Sequence, residues 1–120
     1  PDGGASQLLR ELVGTAKALE LLFTGDIIDA GEALRLGLVN RVVAADELTD
    51  ATRELAERLA RGPTLAHGAA KAAVYESAHL PFESLLDFEA RNQRVVSRSD
   101  DVKEGIRAFL ERRKPEFRGR

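Results

Sequence analysis

Apolar residues recur at helical spacing along the first 25 residues, in two groups separated by a glycine. The first group predicts a helix over residues 7–13 with Ser6 as its cap, and Gly14 then breaks the pattern. The second group predicts a helix over residues 16–23 that stops at Gly25, because glycine readily takes the left-handed conformation that closes a helix. The apolar positions are Leu8, Leu9, Leu12, Val13, Leu19, Leu22 and Phe23.

The next stretch predicts a short helix followed by a short strand. Asp29 precedes Glu32 by three residues, the spacing at which an aspartate caps a helix and a glutamate reaches back to the cap. Gly37 marks the expected end of this helix. An apolar, largely β-branched run then favours a short strand over residues 38–43. The members of that run are Leu38, Val39, Val42 and Val43.

Amphipathic segments predict further helices in the rest of the chain. Asp46 is expected to cap a long helix, whose buried stripe is expected to consist of Leu48, Leu55 and Leu59. A helix from Thr64 to about Ala78 is rich in alanine, which favours close packing against a neighbouring helix.

The last two predicted helices have clear start signals. Pro81 starts the first of them, and Ser99 is expected to cap the second. This final helix is expected to run to about Lys114, because Pro115 prevents it from continuing. The chain is therefore predicted to be mainly α, with about seven helices and one short strand.

Composition limits the classes of protein to which the chain can belong. Its 18 basic and 20 acidic residues are nearly balanced, which does not indicate a nucleic-acid-binding surface. It has no cysteine, so disulfides and thiolate metal sites are excluded. The apolar runs are only a few residues long and no signal peptide is recognisable, so a cytoplasmic protein without a membrane partner is expected.

Three segments resemble one known family. Residues 24–43, TGDIIDAGEALRLGLVNRVV, are similar to a motif of the enoyl-CoA hydratase/isomerase family, the crotonase superfamily. Residues 1–4, PDGG, resemble the family's turn of a proline followed by paired glycines. Residues 104–117, EGIRAFLERRKPEF, are similar to its closing pattern Glu-Gly-x-x-Ala-Phe-x-Glu-Lys-Arg-x-Pro-x-Phe. The resemblance covers essentially all 120 residues.

The resemblance implies a fold and a place within it. The chain would be the C-terminal half of an enzyme about twice its length, namely the helical part of a ClpP/crotonase α/β spiral fold. An opening with a proline and paired glycines, typical of the middle of a loop, agrees with this expectation. Residues 1–37 would supply a turn and helices, residues 38–43 the strand, and residues 45–114 a helical layer for assembly into a trimer or a dimer of trimers.

The implied reaction is hydration or isomerisation of an enoyl-CoA, with the CoA thioester as substrate and no further cofactor. The oxyanion-hole glycines and the principal catalytic glutamates would lie in the N-terminal half of the same protein. This chain alone is therefore expected to be inactive. The alternative is a non-catalytic helical module that binds a partner or promotes oligomerisation, because amphipathic helices in series suit that role equally well.

Asp2 is the candidate catalytic residue. In the turn that it resembles, isomerase-type members carry an aspartate facing the acyl chain, and hydratase-type members usually carry a glycine. A carboxylate there would take a proton from one carbon and return it to another, as a double-bond shift requires. The structural alternative is a simple turn residue beside Gly3 and Gly4, since aspartate is common in turns.

Phe109 and Arg112 are the candidate residues for CoA binding. Their counterparts in similar hydratases are a phenylalanine and a lysine that contact the adenine end of CoA bound to a neighbouring subunit. On a helix the two would lie on one side, offering a packing face and a cation for a phosphate. Arginine in place of lysine changes the geometry of that contact. The alternative is that Phe109 is a core residue and Arg112 complements the helix dipole.

Other chemistry is not indicated. His67 and His79 are twelve residues apart without carboxylates at ligand spacing, so no metal site is predicted, and both are interpreted as solvated or packing residues. Gly3 and Gly4 are not followed by the residues of a phosphate-binding loop.

Overall fold

Six α-helices and one 3₁₀ turn make up most of the chain in the computed structural model, which describes residues 1–120. The chain divides into two units, Pro1–Leu48 and Thr49–Arg120. None of the helices combines the length and the apolar character needed to cross a membrane. The elements are α1 (Ala5–Thr24), α2 (Ala30–Arg35), the 3₁₀ turn (Ala45–Glu47), α3 (Leu48–Ala60), α4 (Thr64–Glu76), α5 (Phe82–Val96) and α6 (Asp100–Leu110).

Helix α1 contains the predicted break. Gly14 has φ 76° and ψ 166°, a combination that residues with a Cβ scarcely adopt, so α1 consists of two helical segments joined without a linker. Gly25 closes the second segment with an N–H donated to the carbonyl of Leu21, as predicted. The prediction that Ser6 caps the first segment is wrong. The N-cap is Gly4, because the preceding turn already brings the chain into the helix at Ala5.

Helix α2 begins and ends where the sequence predicts. The Glu32 N–H donates to Asp29 Oδ1 at 2.7 Å. At the other end the N–H groups of Gly37 and Leu38 donate to carbonyls inside the helix. Glu32 does not reach back to the cap, however. Its carboxylate accepts two hydrogen bonds of 2.6 Å from Arg35, a charged partner that binds more strongly than a neutral amide and lowers the pKa of Glu32.

Residues 38–43 do not form the predicted strand, and the chain contains no strand at all. An extended segment becomes a strand only when a second segment pairs with its backbone, and the chain supplies no such partner. Asp46 is also placed differently from the prediction. It lies inside the 3₁₀ turn that leads into α3, so it does not cap that helix.

In the second unit, α4 packs against α5. The small side chains Ala66, Ala69 and Ala70 line the groove between the two helices, which agrees with the close packing predicted for α4. Helix α5 begins directly after Pro81, and Ser99 Oγ caps α6 by accepting the N–H of Val102 at 3.2 Å, both as predicted.

Little of the apolar surface is buried within the chain. Among apolar residues only Ala18 and Ala108 are buried. The leucine stripe predicted to be buried on α3 is at least 40% exposed, so that prediction is wrong for the chain by itself. The stripe is formed as predicted, but nothing in the chain covers it.

Candidate functional site

Asp2 lies in a tight turn that leads into α1. Its carbonyl accepts the N–H of Ala5 at 2.9 Å, and the two residues between them, Gly3 and Gly4, have φ of 58° and 87°. Two successive positive φ angles explain why this turn uses paired glycines. The turn needs only the backbone carbonyl of Asp2. Its carboxylate is exposed and makes no hydrogen bond or ion pair within the chain, so it is not used to stabilise the turn.

An apolar groove lies beside this turn in the first unit. Its volume is about 280 Å³, and Pro1 and the two segments of α1 line it. The break at Gly14 creates the groove, because it lets the second segment leave the axis of the first. Leu19, Leu22 and Phe23 are among its apolar lining residues. A hydrocarbon chain could therefore lie next to the residue that precedes Asp2.

The second candidate site is at the end of α6. The helix ends at Leu110, four residues before the predicted end near Lys114. The N–H of Arg112 donates to the carbonyl of Phe109 at 3.2 Å, and the N–H of Arg113 donates to the carbonyl of Ala108 at 3.0 Å. These two bonds define a Schellman closure. The residue that turns left-handed in it is Arg112, with φ 55°, where glycine is usual.

Phe109 and Arg112 are therefore close in the chain but do not lie on one helical face. Phe109 is on the last turn of α6 and 82% exposed, so it is not a core residue of this chain. Arg112 lies beyond the helix, is exposed, and makes no ion pair or side-chain hydrogen bond. The prediction of one shared helix side is wrong, because the left-handed turn changes the direction of the chain. The two residues remain adjacent through their backbone hydrogen bond.

The neighbouring Arg113 is paired with two carboxylates. It donates from Nη1 to Glu104 Oε1 at 2.6 Å, from Nη2 to Glu104 Oε2 at 3.0 Å, and from Nε to Glu111 at 2.6 Å. The Glu104 side chain is only 17% exposed and also accepts the N–H of Glu116 at 3.0 Å. Bonding to Arg113 and to this N–H lowers the pKa of Glu104 from 4.5 to about 2.

The Glu104–Arg113 pair was not anticipated from the sequence. The two residues are nine positions apart, which is not a helical spacing, and only the fold brings them together. The hydrogen bonds of Asp101 to distant residues were not anticipated for the same reason. Asp101 is buried in the second unit, where it binds the backbone of residues that follow α6.

The histidines do not take part in either site. His67 and His79 are both exposed, and the His67 ring packs against Gly62. No group of three or more carboxylates and histidines converges in the chain.

Known proteins resemble the chain over its entire length. The family model described as enoyl-CoA hydratase/isomerase matches residues 1–120. A crotonyl-CoA hydratase of Syntrophomonas wolfei is 39% identical over 117 residues, which are 98% of this chain and 45% of the relative. A 1,2-epoxyphenylacetyl-CoA isomerase of Escherichia coli is 36% identical over 120 residues, which are 100% of this chain and 46% of the relative.

A solved structure supports the same assignment. The crystal structure of an enoyl-CoA hydratase from Bacillus anthracis superimposes with a TM-score of 0.93 at 34% identity, covering 100% of this chain and 46% of the other. The chain belongs to the enoyl-CoA hydratase/isomerase family. It spans just under half the length of the relatives that it matches.

Proposed function

We propose that this chain forms the C-terminal half of an enzyme that hydrates or isomerises an enoyl-CoA. The family match over residues 1–120 is the observation that carries the proposal, because no segment of the chain is left for an unrelated role. The relatives include both a hydratase and an isomerase, so the match by itself does not choose between the two reactions. Nothing in the chain specifically favours the alternative of a non-catalytic interaction module.

Asp2 is proposed to transfer the proton. In a double-bond shift a base removes a proton from C2 of a 3-enoyl thioester, and the electron pair of that C–H bond delocalises towards the thioester oxygen. A proton then returns to C4, which leaves the double bond between C2 and C3. An unpaired carboxylate beside an apolar groove suits this role, since it is free to accept and return a proton near a hydrocarbon chain.

The N–H groups that stabilise the thioester oxygen are proposed to belong to the N-terminal half, together with the glutamates that would act in hydration. The chemistry uses no cofactor, because the CoA thioester is itself the substrate. Phe109 and Arg112 are proposed to contact the nucleotide end of CoA, bound by a neighbouring subunit. An exposed ring next to an unpaired guanidinium supports that role, because adenine packs on aromatic faces and phosphates bind arginine.

Assembly into a trimer or a dimer of trimers is proposed for the complete enzyme. The support is the uncovered apolar surface, which includes Phe82 on α5 and Leu110 on α6 at 67% and 74% exposure. Monomeric proteins rarely leave large contiguous apolar patches in water. A cytoplasmic location stays a prediction from composition.

The test replaces Asp2 with asparagine in the enzyme assembled with its N-terminal half. Asparagine keeps the size and the backbone carbonyl that the turn uses, but it cannot act as a base. Turnover should fall by roughly 10²–10⁴-fold, the usual contribution of one general acid–base group, while acyl-CoA binding changes little. Turnover should be measured with a 3-enoyl-CoA and a 2-enoyl-CoA side by side.

Asp46→Asn is the matched control, because Asp46 is another exposed aspartate of the first unit without a side-chain partner. It should leave both rates unchanged. Loss of the 3-enoyl-CoA reaction alone in Asp2→Asn would assign the enzyme as an isomerase. Near-normal rates of Asp2→Asn on both substrates would refute the catalytic role of Asp2. If the assembled parent catalysed neither hydration nor isomerisation, the proposed function itself would be refuted.

A further inference from the structure

The chain after α6 folds back along that helix. We call residues 113–120 the return segment. Its last residues reach the first turn of α6, where the carboxylate of Asp101 accepts the N–H groups of Arg118 and Gly119 at 2.6 and 2.8 Å. The Asp101 N–H donates in turn to the carbonyl of Arg120 at 3.1 Å. Asp101 is 4% exposed, so these bonds are shielded from water.

The return segment is also packed against α4 and α6. Gly119 lies so close to the Thr64 side chain that a Cβ at this position would clash with it. The Phe117 ring faces Gly105 on α6. One end of the return segment is therefore fixed by Asp101 and by packing.

Glu104 fixes the other end. Its two oxygens hold the guanidinium of Arg113 in a bidentate pair, and one of them also accepts the N–H of Glu116. Glu104 thus binds the chain at the first and fourth residues of the return segment. Four of the five N–H donors of Arg113 are used within the chain, because Glu111 and the Lys114 carbonyl accept two further hydrogen bonds.

Arg112 is the residue that this arrangement leaves available. It lies between the end of α6 and a return segment held at both ends, and its φ of 55° is sterically unfavourable for a residue with a Cβ. A left-handed non-glycine residue persists only where its surroundings enforce it. The two Schellman hydrogen bonds hold the backbone of Arg112 to α6, and the Glu104–Arg113 pair fixes the residue that follows it.

We infer that Glu104 is a positioning residue, which holds the left-handed turn so that the guanidinium of Arg112 is presented to the phosphates of CoA. The inference rests on the proposed function, in which Arg112 contacts CoA. Glu104 itself does not touch the ligand. Its effect reaches the ligand through Arg113 and the backbone of Arg112.

The experiment compares two substrates in the assembled enzyme, an enoyl-CoA and the pantetheine thioester of the same acyl group, which lacks the nucleotide. Arg112→Ala should raise KM for the CoA thioester by about tenfold or more, because a hydrogen bond to a charged group is lost. Glu104→Gln should raise KM for the CoA thioester less, by roughly 3- to 10-fold, because the guanidinium of Arg112 is kept but is no longer held in position. In both variants kcat and the pantetheine reaction should be nearly unchanged.

The double variant gives an independent measurement. If Glu104 acts through Arg112, adding Glu104→Gln to Arg112→Ala should raise KM no further. Asp100→Asn is the matched control, since Asp100 is also a paired carboxylate of α6 but binds the exposed Lys103 at 2.9 Å. It should leave KM for both substrates unchanged.

Each other outcome has a distinct meaning. A rise in KM with Arg112→Ala but not with Glu104→Gln would overturn the inference and leave the proposed CoA contact in place. No change in either variant would overturn the CoA contact itself. If Glu104→Gln raised KM equally for both substrates and also lowered kcat, Glu104 would be a general structural residue, and the inference would again be overturned.

Discussion

The uncovered surface of the chain predicts that it associates when it is separated from its partners. The chain exposes 9539 Å². A compact monomer of its mass, 13.1 kDa, would expose about 6,400 Å², and two separate compact bodies of the sizes of its units about 7,700 Å². The surface that the chain exposes is about 1,800 Å² larger than even the value for two separate bodies. A standard interface takes about 800 Å² from each partner, so the excess is enough for roughly two interfaces.

In the experiment, the 120 residues are first produced alone, and the N-terminal half is then added. Sedimentation velocity should give a weight-average mass above 13.1 kDa that rises with concentration between roughly 1 and 100 µM. The isolated chain should also bind a dye that reports exposed apolar surface. Adding the N-terminal half should suppress dye binding, because we propose that it covers the surface that drives the association.

If the isolated chain kept the mass of a monomer over this concentration range and bound no dye, the prediction that it associates would be refuted. Such a result would mean that the apolar side chains pack among themselves in solution. Association that persists unchanged after the N-terminal half is added would contradict only the proposed partner.

Three further predictions concern single residues of the proposed enzyme. Asp29→Ala should lower the free energy of unfolding in urea by about 1 kcal/mol through loss of the cap, whereas Asp29→Asn should cost little. Arg112→Gly should raise the free energy of unfolding by about 0.5–1 kcal/mol. Removing the Cβ relieves the left-handed conformation, worth about 1–2 kcal/mol, and this exceeds the stabilisation of the unfolded chain by the extra freedom of glycine, about 0.4–1 kcal/mol. An unchanged free energy of unfolding would contradict the idea that the turn is strained. Glu104 has a pKa of about 2 in the fold against an ordinary 4.5, so its stabilisation is complete above pH 4.5 and is lost as the pH falls towards 2. The difference in thermal midpoint between the parent and Glu104→Gln should therefore shrink over that pH range, and a constant difference would argue against the ion pair.

The sequence by itself determined the features that depend on nearby residues. The cap at Asp29, the cap at Ser99, and the glycines at 14 and 25 act over at most four positions, so they form wherever the local chain permits. The resemblance to the enoyl-CoA hydratase/isomerase family was also visible in the sequence, because family motifs are contiguous stretches. The identity of Asp2, Phe109 and Arg112 as candidates came from those motifs.

Only the tertiary structure decided the features that require distant partners. Residues 38–43 have the composition of a strand but lack a second segment to pair with. Helix α6 ends at Leu110, not near Lys114, and is followed by a left-handed turn at Arg112 and by an ion pair between Glu104 and Arg113, nine positions apart. The leucine stripe of α3 is apolar and helical as the sequence predicts, yet it stays exposed. Periodicity determines which side of a helix is apolar, whereas burial depends on what packs against that side.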